Sequence, residues 1–201
     1  MKLLPTAAAI AALFAASSVM AATVKIDFEN VTSFASIGSL YGGIGVSFGD
    51  DALGLQNAPG GVPDPFGPYY SNAPSALGVM GVVGPSATMN VAGGFGQFFG
   101  FWYSSDSVIA NGVQVWSGLN GAGSLLASFN LMANATSGGC SSSAYCNFTQ
   151  ASTSLNSIAR SVTFANAASV ALFDNLIIPE PSTTMLVGLA LAGLMLARRG
   201  T

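Results

Sequence analysis

Pro179, Glu180 and Pro181 divide the chain in two. Two prolines one residue apart fix φ twice and remove two backbone donors, so neither a strand nor a helix can run through residues 179–181. Beyond them, Met185 to Ala197 carries no charge and no strong hydrogen-bonding side chain, and Arg198 and Arg199 follow directly. With Ser182 to Thr184 added, the run rises roughly 24 Å as a helix, slightly short of a bilayer core of about 30 Å. The two arginines lengthen the effective span by reaching the headgroups. The segment is apolar on every face, whereas a terminal helix packed on a sheet is amphipathic. The sequence therefore predicts a transmembrane helix over 183–197, with the arginines on the cytoplasmic side and the body of the chain outside.

The front end supports the same direction of travel. Lys2 supplies a small positive region, Leu3 to Val19 an apolar stretch, and Ala21-Ala22 the small residues that suit signal-peptidase cleavage. Residues 1–22 are thus expected to be a signal peptide, leaving residues 23–177 as an exported domain and 178–201 as its tail.

The tail resembles the PEP-CTERM sorting signal of Gram-negative bacteria: Pro179-Glu180-Pro181, an apolar helix, and the terminal Arg198-Arg199, in that order. The resemblance implies recognition by exosortase, a membrane enzyme thought to cut near the Pro-Glu-Pro element. Exosortase and signal peptidase are then the processing partners. It further implies an inner-membrane-anchored precursor, followed by delivery to the cell surface or the extracellular matrix. The same tail is also known as an ice-binding protein C-terminal domain, but the body shows no repeated threonine spacing of the kind an ice-binding face needs.

Residues 23–177 are enough for one hydrophobic core. Lys25 and Arg160 are the only cations in the body. Nucleic-acid affinity rests on neutralising many phosphates, so nucleic acid is set aside as a partner. Disorder is excluded as well, because Val, Ile, Leu and Phe recur in strand-like runs. Cys140 and Cys146 are the only cysteines, and export puts them in an oxidising space, so a disulfide is expected there.

Alternating patterns and turn residues predict about nine short strands. They fall at Val24–Phe28, Ile44–Phe48, Leu77–Val83, Ala87–Val91, Phe95–Tyr103, Val113–Trp116, Ser124–Met132, Ile158–Phe164 and Ser169–Ile178. Gly93-Gly94 reads as a turn, Asn120-Gly121 as a hairpin turn, and Asn57 to Pro74 as a long loop too rich in Pro and Gly for a ladder. The fold class that follows is all-β, an antiparallel β-sandwich of jelly-roll type. The first and last strands resemble those of carbohydrate-binding-module-like jelly rolls, and the resemblance implies that Asp27, Glu29, Asp174 and Asn175 could hold a structural calcium ion. The other reading of these four is as ordinary outward-facing strand residues; no other cofactor is expected.

The chain contains no histidine, which removes Ser-His-Asp and Cys-His triads and every histidine-ligated metal site. A glycosidase would need two carboxylates flanking a cleft, and the neighbouring acids here sit in strand ends and turns. The sequence accordingly predicts no enzyme. Exposed rings that could stack on a sugar are sought in the long loop, at Phe66, Tyr69 and Tyr70, whereas Trp102 and Trp116 are expected to be structural. The leading expectation is a structural or adhesive surface protein linked to exopolysaccharide or biofilm. The alternative is a carbohydrate-binding module that uses the loop aromatics.

Overall fold

The computed structural model describes residues 23–179. The predicted signal peptide, the transmembrane helix over 183–197, and Glu180, Pro181, Arg198 and Arg199 lie outside the described residues. Nine antiparallel strands are present: β1 (Thr23–Ile26), β2 (Val46–Phe48), β3 (Ala52–Leu55), β4 (Val79–Val82), β5 (Thr88–Ser105), β6 (Ile109–Trp116), β7 (Leu125–Leu131), β8 (Thr149–Thr163) and β9 (Ala171–Pro179). Short 3-10 turns join some of them, and no α-helix occurs among the described residues. The path runs β3-β4-β9-β5-β8-β6-β7, with β1 paired to β9 and β2 to β5.

Two strands are long enough to serve both layers of the fold. The first residues of β5, Thr88 to Asn90, pair with Thr163 to Ser161 of β8, while Gln97 to Tyr103 pair with Leu155 to Thr149. Between these stretches the register shifts twice, and Gly94 and Gln97 take positive φ. Such bulges bend a strand and increase its twist. On one side of the bend β5 and β8 join β2, β6 and β7; on the other they join β9, β4, β3 and β1.

The two layers face each other across aromatic rings. Phe101 of β5 does not pair with β7, yet its ring meets Phe129 of β7 edge to face, centroids 5.0 Å apart. Phe164 and Phe173 meet in the same way at 4.9 Å. Phe95, Phe99, Phe101 and Tyr103 form a ladder along the inner face of β5, as the period-2 alternation requires. One buried cluster joins Ala52 of β3 to Leu131 of β7, the two ends of the strand path, so the path has folded over onto itself.

Several boundaries differ from expectation, each for a local reason. Gly93-Gly94 does not turn the chain: the strands expected on either side are one strand, and the glycines sit at its bend. β3, directly after Asp50-Asp51, is not among the expected strands; Leu53 and Leu55 are half-buried on its outward face and give no clear alternation. β8 begins at Thr149, nine residues before the expected Ile158, because Ser, Thr, Gln and Asn fill its outward positions. β1 stops before Phe28, whose φ is 56°. Asn120 and Gly121 both take positive φ and form the expected turn between β6 and β7.

Candidate functional site

Two loops, residues 56–78 and 132–148, cover the outer face of the β4-β9-β5 layer. They are joined where Tyr70 bridges Tyr145 in parallel fashion and the Ser71 N–H donates to the Tyr145 carbonyl at 3.0 Å. The Ser71 hydroxyl lies 2.6 and 2.8 Å from those of Ser142 and Ser143, and the Asn72 amide donates to the Cys146 carbonyl at 3.0 Å. Cys140 and Cys146 form the expected disulfide. A closed loop this short contributes about 2 kcal/mol in the chain-entropy picture, so it fixes the clasp rather than the whole domain.

Under the clasp is a second apolar cluster of Tyr70, Val79, Phe148 and Leu172, with Trp102 and Tyr145 against it. Tyr70, expected among the sugar-stacking rings, is therefore corrected to a packing residue: it is 2% exposed, meets Phe148 edge to face, and burial pushes its hydroxyl up to about 12. Tyr69 is half-buried, donates its hydroxyl to Asp64 at 3.0 Å and meets Phe34 edge to face. Phe66, at 84% exposure, is the one loop candidate of the three whose ring is largely free. Trp102 is half-buried in the second cluster, and the Trp116 indole donates to the Thr163 hydroxyl at 3.1 Å, so both are structural. Nearby, Phe34, Leu53, Gly81, Val83, Tyr145 and Leu172 line part of a groove of about 160 Å³. Small-molecule sites are usually larger and present convergent polar groups; this groove is small and its walls are almost wholly apolar.

The four residues weighed for calcium lie around the junction of β1 and β9; donors engage both carboxylate oxygens of Asp174 and one of Glu29, whereas Asn175 Oδ1 is buried with no hydrogen-bond partner among the described residues. Asp174 is fully buried; its carboxylate accepts from the Ser75 N–H at 2.8 Å, the Ser75 hydroxyl at 2.6 Å and the Asn175 N–H at 2.6 Å. Glu29 accepts from the N–H groups of Leu77 and Gly78. Gly78 is required there, because a Cβ would run into the Phe28 carbonyl. Asp27 is partly exposed, 3.8 Å from the Lys25 ammonium, and accepts weakly from the Glu29 N–H. Among the described residues no group of three or more His, Cys, Asp or Glu side chains is placed to hold a metal ion. The calcium reading is not carried further. What the carboxylates do is pin the 75–78 segment to the turn that follows β1 and to β9.

Burial drives the electrostatics of this junction. Desolvation raises the Asp174 carboxyl from 3.8 to about 6 against three lowering hydrogen bonds, and the Glu29 charge adds to the rise. Tyr41 is pushed up to about 12, chiefly by burial and then by the Asp27 charge. Sequence reasoning missed Ser75, the central donor of the knot. Its only signal was a polar residue following Pro74 at the end of a long loop.

The chain leaves the domain beside its point of entry. Pro179 is the last residue of β9 and pairs with Thr23, the first of β1. The closed domain thus ends where the Pro-Glu-Pro element begins.

Residues 178–199 match the family model of the PEP-CTERM protein-sorting motif. Such a motif is a sorting signal handled by exosortase, and it marks an exported protein that is processed at the membrane. No curated protein matches the chain. Among solved structures, the K2 cleaved adhesin domain of Lys-gingipain is similar at 14% identity and a TM-score of 0.48, covering 78% of this chain and 97% of that one. A family 43 arabinoxylan arabinofuranohydrolase from Bacillus subtilis shares 13% identity at a TM-score of 0.39, over 67% of this chain and 26% of its own. The CBM22-1-GH10 modules of xylanase 10B from Clostridium thermocellum share 11% at 0.39, over 78% and 28%.

Proposed function

We propose that this chain is an exported, non-enzymatic protein of the cell surface or extracellular matrix of a Gram-negative bacterium, with a structural or adhesive role linked to exopolysaccharide or biofilm. The observation that carries the reading is the sorting motif at 178–199, which begins on the last two residues of β9, the final strand of the β domain, in a chain with no histidine. In this reading signal peptidase removes residues 1–22, the 183–197 helix holds the precursor in the inner membrane, and exosortase cuts near Pro179-Glu180-Pro181. The folded part is a jelly-roll β-sandwich whose acids act as fasteners, with Glu29 and Asp174 holding a loop in place.

The second reading is a carbohydrate-binding module, favoured by the exposed ring of Phe66 beside Tyr69 on the clasped loop. A glycan array probed with the exported chain separates the two. The structural reading predicts no saturable binding. Saturable binding that is lost in Phe66→Ala, with the fold retained, would establish the second reading in its place.

A further inference from the structure

The bend in β5 and β8 lies at the end of the sandwich where the described chain begins and stops. β9 and β5 are antiparallel with Ile177 opposite Gly100, so the last residues of β9 run alongside Phe99 and Phe98 toward the bulges of β5. There Phe95 pairs with Ala159 of β8, and both are buried. The residues flanking Ala159 point to the convex side of the bend. Ile158 is 54% exposed and lies over Gly94 and Gly96, where a Cβ would meet its methyl groups, and Arg160 is exposed beside it. Lys25 of β1 is opposite Ile177, and Thr23 is opposite Pro179. These residues therefore gather at one end of the domain.

Charge is divided along the same axis. Lys25 and Arg160 are the only cations of residues 23–179. Lys25 stands 3.8 Å from Asp27, whereas Arg160 forms no ion pair among the described residues. Most of the acids lie farther along. The Asp106 N–H donates to the carbonyl of Val170, just before β9, and the Asp51 carbonyl accepts from Val83, just after β4. Because Leu172 of β9 pairs with Gly81 of β4, both acids, and Asp50 with them, are at the opposite end. Glu29 and Asp174 are held by the 75–78 segment, and Asp64 by the Tyr69 hydroxyl on the clasped loop. An anionic surface is thus repelled by the far end and meets a cation at the Pro179 end.

The tail brings such a surface within reach. Three residues, Glu180, Pro181 and Ser182, separate Pro179 from the predicted helix over 183–197. Fully extended, the chain from Pro179 to Thr183 covers no more than about 14 Å. A domain tethered that closely to a bilayer presents its Pro179 end to the headgroups. With Asp27 beside Lys25 and Glu180 in the spacer, the cation left for them is Arg160. One basic side chain near an anionic leaflet is worth about five-fold, and since the tether already confines the domain, a contact this small is enough to orient it. We propose that the convex side of the bend, Arg160 with the apolar Ile158 next to it, docks on anionic phospholipid headgroups in the uncut chain. The inference rests on the membrane-anchored precursor of the reading above, whose orientation it adds.

The test uses the full chain, with its native disulfide kept, reconstituted into vesicles of phosphatidylcholine with or without phosphatidylglycerol. A nitroxide on the lipid headgroups quenches a dye placed on one added cysteine. Ser157→Cys is exposed next to Ile158 and reports the docked end; Val108→Cys, 65% exposed near Asp106, reports the opposite end. Quenching at 157 is expected to be about five-fold stronger with phosphatidylglycerol than without it, and unchanged at 108. Arg160→Glu should remove the difference, and Arg160→Lys should keep it. A chain that floats with the vesicles but shows equal quenching at 157 in the two lipids, or the same difference in Arg160→Glu, overturns the docking alone. A chain that does not float with either vesicle overturns the anchored precursor and the docking together.

Discussion

Replacing Phe101 with alanine lowers the unfolding free energy by about 3–5 kcal/mol, the cost typical of emptying a large buried aromatic site. The expected loss is this large because of where the ring sits. Phe101 is fully buried on the strand shared by both layers and touches Phe99, Tyr103, Phe129 and Phe173. Those neighbours belong to three different strands, so the cavity cannot close by the shift of one element. Urea denaturation of the chain and of Phe101→Ala measures the difference. Phe66→Ala, at the exposed tip of the loop, should change stability by no more than about 0.5 kcal/mol. Equal losses in the two variants would mean that Phe101 does not join the layers as described.

The second large effect is a stability that falls as pH rises. The Asp174 carboxyl stands at about 6 in the folded chain against an ordinary 3.8, so between those values the folded state binds the extra proton. Its contribution is fully present below pH 3.8 and is lost as pH rises through about 6. Each pKa unit corresponds to about 1.4 kcal/mol, which makes the full loss about 3 kcal/mol. Asp51 acts with the opposite sign: the hydroxyl and N–H of Ser86 hold its carboxyl below the usual range, so its share disappears under strong acid. Stability should therefore be greatest in mild acid and decline toward neutrality. Asp174→Asn should flatten the decline between pH 4 and 7 in denaturation measured across that range. An unchanged slope in the variant would assign the pH dependence to another group.

How much of this was readable beforehand varied with the type of residue. β1 was legible because Val24 and Ile26 alternate with polar residues, and β9, buried on both faces, because Leu176, Ile177 and Ile178 run apolar. The first part of β8 was not, since residues 149–157 hold one buried apolar side chain, Leu155, and its strand state is imposed by pairing with β5. Gly93-Gly94 misled for a related reason: glycine marks a bulge as readily as a turn, and only long-range pairing decides between them. Among site residues, the cysteine pair could be read from its count and its compartment. Tyr69 and Tyr70 could not be told apart, because adjacent residues on an irregular loop have no fixed period, and the clasp turns one ring inward. Ser75 was invisible in practice: its partner Asp174 is 99 residues away in sequence.

The structure also gives the tail a setting that the sequence lacks. With Thr23 and Pro179 paired, the exported domain is closed by the strand that ends at the sorting motif, so processing after residue 179 need not disturb the core.

An intact-mass measurement of the exported form tests the central claim most directly. The account predicts a mass lacking residues 1–22 and the segment beyond the Pro179-Glu180-Pro181 element, less two hydrogens for the Cys140–Cys146 disulfide, any attached glycan appearing as added mass. It further predicts that replacing Pro179, Glu180 and Pro181 with alanine leaves the uncut chain in the membrane. A full-length mass, or an unchanged product from the alanine variant, would contradict it.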